Sequence, residues 1–114
     1  MKRIRVSIVN MTEPGGSKVT VENVEGYTTC SPFFAIHRPY RGHGVWGTDS
    51  WKVTHLPSGG IVTPPSRRFS GKNARQILRV IVATLVAYPV DWSSPNPTNL
   101  SAIPDIVLTW ISRR

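Results

Sequence analysis

Ser70-Gly71-Lys72-Asn73-Ala74-Arg75-Gln76-Ile77-Leu78-Arg79-Val80-Ile81-Val82-Ala83-Thr84-Leu85-Val86-Ala87-Tyr88 is the stretch that decides the fold. Ala74, Ile77, Leu78, Ile81, Val82 and Leu85 recur at i, i+3, i+4, i+7, i+8 and i+11, a single stripe of helical period. Ser70 stands where a side-chain oxygen can cap the first turn. Pro89 ends the helix, because proline lacks an N–H and disfavours helical geometry in the residue before it. One apolar stripe needs one apolar surface to cover it. Nearly everything ahead of residue 70 reads as strand, so the helix predicts a sheet beneath it.

Working back from the helix, Ile61-Val62-Thr63 makes a short strand that Pro64 and Pro65 close, since neither can donate a ladder hydrogen bond. Pro57-Ser58-Gly59-Gly60 is a turn. Before it, Trp51 to Leu56 alternates Trp51, Val53 and His55 against Lys52, Thr54 and Leu56. Tyr40 to Ser50 holds Gly42, Gly44 and Gly47 among basic and aromatic residues and reads as a long loop. Phe33 to Arg38 is a strand between Pro32 and Pro39. At the amino terminus, Ile4, Val6 and Ile8 alternate with Arg3, Arg5 and Ser7. The cluster Glu13-Pro14-Gly15-Gly16-Ser17 then turns the chain into a second strand from Lys18 to about Thr29, with Gly26 marking a bulge or bend.

Working forward, residues 89–99 carry Pro89, Pro95 and Pro97 among Ser and Asn and read as an extended linker. In residues 100–114 the β-branched content argues for a strand. A capping Asn99 or Ser101, Pro104 in the first turn and terminal arginines argue for a short helix. The expectation is one α+β domain spanning 1–114. It has an antiparallel sheet of four to five strands packed by one main helix, the other sheet face open, a proline-rich linker and a short C-terminal helix.

With 114 residues there is room for one core, and a mean hydropathy of -0.15 is ordinary for a globular chain. No window approaches the ~18 apolar residues of a membrane span, and no apolar run follows Met1-Lys2-Arg3 as a signal peptide would require. A cytoplasmic protein is expected, in the host cytoplasm if viral. The single cysteine, Cys30, rules out an intrachain disulfide and reads as a buried or half-buried small side chain. Three histidines and one cysteine make no four-ligand set, so no metal or other cofactor is expected.

Charge points to a partner. The formal net charge is +8, and between residues 37 and 79 eight cations face the single acid Asp49. That stretch holds most of the excess, and the remainder of the chain nearly balances. Arg38, Tyr40, Arg41, His43, Trp46 and Lys52 combine phosphate-binding cations with aromatic faces on which bases stack. Arg67, Arg68, Lys72, Arg75 and Arg79 extend the track along the start of the helix, where cations oppose the macrodipole and repel one another. An anionic partner would relieve that cost. His37 and His55 lie on neighbouring strands but in diagonal positions, which disfavours a paired acid and base. Carboxylate pairs, a Walker loop and a G-x-S-x-G elbow are all missing, so no enzyme is expected.

Phe33-Phe34-Ala35-Ile36-His37-Arg38 and Trp51-Lys52-Val53-Thr54-His55-Leu56-Pro57-Ser58-Gly59, followed by the helix from Ala74, resemble small phage and mobile-element accessory proteins over residues 33–85. Such proteins share an F-A-x-H-R strand and a W-x-V-T-H-x-P-[ST]-G strand-turn. The resemblance implies a viral accessory role and carries over no activity. The leading expectation is a module that binds DNA or RNA. The alternative is an inhibitor or adaptor, such as a viral anti-defence protein, that docks its basic face on an acidic host protein.

Overall fold

The structure is a computed structural model that describes residues 2–62 and 68–113. Thr63, Pro64, Pro65 and Arg67 lie outside the described residues. β1 (Arg3–Thr12) and β2 (Lys18–Thr28) form a hairpin, β3 (Phe34–His37) follows, and a small ribbon of β4 (Tyr40–Gly42) and β5 (Val45–Trp46) intervenes. β6 (Lys52–His55) and β7 (Gly60–Ile61) precede α1 (Ala74–Val86), and a 3₁₀ turn (Leu100–Ala102) leads into α2 (Asp105–Arg113). The main sheet runs β1-β2-β3-β6-β7 with every neighbouring pair antiparallel. This is the α+β architecture that the sequence predicts.

Register assigns the faces, because residues directly opposite one another across antiparallel strands share a face. Tyr27 opposes Ile36, Ile36 opposes Val53, and Phe34 opposes His55. Tyr27, Phe34, Ile36 and Val53 meet Leu78, Ile81, Val82 and Leu85 of α1 in the larger core. Leu78, Ile81 and Val82 are fully buried. Each such side chain contributes about 1.5–3 kcal/mol relative to exposure. The helix begins later than Ser70, because Gly71 takes φ +87 and breaks the chain just beyond it. Asn73 occupies the cap position without a side-chain hydrogen bond.

The opposite face is not open, which corrects the expectation. Ile8, Met11 and Val24 form a second core there, flanked by Tyr40, Trp46 and Leu56. The 40–50 segment is therefore not a free loop: its β4–β5 ribbon lays two aromatic rings over this face. Gly26 is not a bulge either. Its register with Ile4 and His37 is regular, and a Cβ there would meet the Ile36 carbonyl oxygen at 2.6 Å.

The irregularities lie instead between Val6/Ile8 and Ile8/Met11 of β1, paired with Val24, Val21 and Val19. An extra residue falls first on β2 and then on β1. Asn23 and Asn10 accommodate these insertions at φ 57. The two shifts cancel in register while each sharpens the local twist. The tip of β1 thereby swings round to the β6–β7 turn, where Asn10 Nδ2 donates to the Ser58 carbonyl at 3.0 Å. Gly59 sits there at φ +75, and a Cβ on it would lie 1.8 Å from the Val9 carbonyl oxygen. The sheet is curled, so that the tip of β1 meets the β6–β7 turn.

The proline-rich segment is docked rather than extended. Val90 is buried, and the Trp92 ring stands edge-on to Phe34 with centroids 5.1 Å apart. His55 Nε2 lies 2.6 Å from the Trp92 carbonyl, which can only accept, so that nitrogen carries the proton. Cys30 is exposed, contrary to expectation. It follows the end of β2 in a connection whose neighbours Thr29 and Ser31 hydrogen-bond one another, leaving its side chain outside either core.

Candidate nucleic-acid interface

Four distant parts of the chain converge on one aromatic pair. Tyr27, near the end of β2, and Trp51, just before β6, meet edge to face with ring centroids 5.6 Å apart. Trp51 is fixed by a backbone bridge to Phe69, its N–H donating to the Phe69 carbonyl at 2.8 Å. Arg38, which follows β3, stacks its guanidinium 3.7 Å from the Trp51 ring centroid. Arg75, in the first turn of α1, lies 4.3 Å from the Tyr27 centroid and 5.2 Å from that of Trp51. A guanidinium lying on a ring keeps its charge and leaves its in-plane N–H edge free to meet an anion.

Charge around the pair is strongly positive. Arg38 Nη1 donates to the Ser50 carbonyl at 3.1 Å, which spends one of its five N–H bonds. A hydrogen bond from Arg3 is the main influence holding the Tyr27 phenol below its ordinary value; burial opposes it, and the positive charge of Arg75 adds to it. Beside this cluster, Asp49 sits between Arg41 at 3.6 Å and Arg68 at 3.2 Å. These side chains are all about half exposed or more, so each pair contributes little stability. One carboxylate between two guanidiniums still leaves a net positive charge.

The other sequence-selected residues lie elsewhere. Tyr40 donates its hydroxyl proton to Glu13 Oε1 at 2.6 Å, and the His43 backbone N–H donates to Glu13 Oε2 at 2.8 Å. The Tyr40 hydroxyl bond, then that of His43, holds the Glu13 carboxyl below its ordinary value, while the same carboxylate pushes the Tyr40 phenol up. Trp46 packs against Tyr40 at 4.9 Å and edge-on to His37 at 6.1 Å, so its ring belongs to the second core. Lys52 opposes His37 and lies on the face away from the arginine cluster. Lys72 is exposed in the turn before α1, and Arg79 reaches Gln76 at 3.5 Å.

No family model, curated protein or solved structure matches this chain.

The histidines do not form a reacting pair. His37 and His55 occupy opposite sheet faces, since each opposes a partner of different facing in the β3–β6 ladder. His37 Nδ1 donates to the Arg38 carbonyl and Nε2 accepts from Thr54 Oγ1, both at 2.6 Å. Burial lowers the His37 pKa, the bond to Arg38 opposes that shift, and the Lys52 charge adds to it. Among the described residues no three His, Cys, Asp or Glu side chains gather as a cation site, and no helix is long and apolar enough to cross a membrane.

Sequence reasoning missed Arg3, Tyr27 and Trp51. Alternation did place Trp51 on the Val53 face. What it could not supply was the strand order that brings β2 and β6 to either side of β3, and with it Tyr27 beside Trp51.

Proposed function

We propose that this chain is a nucleic-acid-binding accessory protein that grips phosphates through the Arg38–Trp51–Tyr27–Arg75 cluster, flanked by Arg3, Arg41 and Arg68. The observation that carries the reading is the stacking of two arginines from different elements on one aromatic pair. Gathering both charges on one aromatic pair costs mutual repulsion that a phosphate backbone would offset. Because the guanidiniums cover the ring faces, recognition runs through backbone charge and shape rather than base stacking. Tyr40 and Trp46, committed to the second core, do not act as base platforms.

The same coverage of the rings favours a second reading, an acidic protein surface whose carboxylates take the guanidinium edges bidentately. One experiment separates the two. Fluorescence anisotropy with single- and double-stranded DNA and RNA probes, titrated with salt, should give binding whose logarithm falls linearly with log salt. Absence of binding to every probe at near-physiological salt rejects the nucleic-acid reading and leaves the acidic protein.

A further inference from the structure

The mouth of the curled sheet, between the tip of the β1–β2 hairpin and the β6–β7 turn, is a cleft of about 460 Å³. That is the size of a small-ligand site. Met11, Tyr40 and Lys52 of its lining belong to the sheet face opposite α1, and none of its lining residues belongs to the arginine cluster. Lys18 and Lys52 both line it, and no carboxylate does. Lys18 Nζ donates to Thr12 Oγ1 at 2.6 Å. Lys52 is half-buried, and its side chain has neither a hydrogen bond nor an ion pair among the described residues. The nearest acid in sequence to the hairpin tip, Glu13, is not among the lining residues, and its carboxylate is held by the Tyr40 hydroxyl and the His43 N–H. Two lysines thus border a concave space that no carboxylate lines, and a concave wall focuses their field.

We infer that this cleft binds a phosphate monoester of mononucleotide size. A phosphomonoester carries about −1.5 to −2 at neutral pH, which matches two lysines, whereas a carboxylate would leave one cation uncompensated. The Thr12 hydroxyl accepts from Lys18 and keeps its own proton to donate to a phosphate oxygen. Ser58 does not serve that way. Its hydroxyl proton goes to His55 Nδ1 at 2.7 Å, because His55 Nε2–H is committed to Trp92, and its oxygen accepts from the Gly60 N–H. Met11, Tyr40 and Ile61 give the cleft an apolar wall for the organic part of the ligand. The site is independent of the nucleic-acid reading, since it shares no residue with the stacked arginine cluster.

Isothermal titration of the full chain with adenosine 5′-monophosphate at low salt tests it, with adenosine as the neutral control. One site per chain is expected for the monophosphate and none for adenosine. Lys52→Gln should weaken binding about tenfold or more, the usual consequence of removing a hydrogen bond to a charged group. Lys18→Gln, at an exposed position that tolerates the change, should do the same. Lys2→Gln, an equal charge change outside the cleft, should leave binding unchanged. In methyl NMR spectra the ligand should shift Met11 and Ile61. Equal binding of adenosine and its monophosphate, equal loss in all three variants, or no binding at millimolar ligand overturns the inference.

Discussion

Burial of His37 should make stability fall as the solution is acidified from neutrality. The ring is fully buried, with both nitrogens bonded and Trp46 across its edge. Protonation would force Nε2 to donate where it now accepts from Thr54, in a site where desolvation and the Lys52 charge already oppose the cation. The folded-state pKa therefore lies below the ordinary 6.5, while the unfolded chain titrates at that value. Below about pH 6.5 the unfolded state binds the extra proton, so stability is full above that pH and is lost as pH falls toward the folded pKa. The slope cannot exceed about 1.4 kcal/mol per pH unit for one proton.

Urea denaturation at about pH 7.5, 6.5 and 5.5 measures it. His37→Phe keeps a flat aromatic ring, slightly larger than the imidazole, and abolishes the titration. It lowers stability at every pH, by about 1–3 kcal/mol, because the Arg38 carbonyl and Thr54 lose a partner. Its pH slope over this window should be shallower than that of the parent, the difference being the share due to His37. Glu13, whose pKa is lowered, loses its contribution only below its ordinary 4.5 and so falls outside the window. Identical slopes for parent and His37→Phe would refute the reasoning.

Leu78→Ala empties a fully buried position between α1 and the sheet, and urea unfolding should show a loss of about 2.7–5 kcal/mol. Gly59→Ala meets both a positive φ and the Val9 carbonyl, and should cost on the order of 1–3 kcal/mol or more in the same assay, without altering α1. For nucleic acid, Arg38→Gln with Arg75→Gln should flatten the log–log salt slope by roughly 1.4 on single strands and 1.8 on duplex, in anisotropy titrations of folded protein. An unchanged slope would place the phosphate contacts elsewhere.

The parts of the fold that follow from periodicity were legible in the sequence. The α1 stripe and the opening alternation each name a buried face, and the Glu13–Ser17 turn joins β1 to β2 as its composition predicts. What escaped depended on tertiary context. β4 and β5 are three and two residues long, too short for alternation to register, so the covering of the second face was invisible. Asn10 and Asn23 create the bulges, while Gly26, the obvious candidate by composition, serves close strand approach. Trp92 looked like part of a linker because its partners, Phe34 and His55, lie far away in sequence. The site divides the same way. Local clustering of charge identified Arg38 and Arg75, but the aromatic platform that organises them is assembled by the β2-β3-β6 strand order.

The bond from Asn10 to Ser58 joins positions 48 residues apart, and it closes the curl only after two separate pieces of the molecule exist. The β1–β2 hairpin needs only its own short turn, whereas the β6–β7 turn needs β3 in place to define β6. Because distant closures carry their entropy cost before they return contacts, this seam is expected to zip last. Weakening it should then quicken unfolding while leaving the refolding rate almost unchanged, so that Asn10→Ala raises only the unfolding arm of a chevron. Kinetic persistence of the native chain would be set at that seam, far from the hydrophobic stripe that determines how the chain folds.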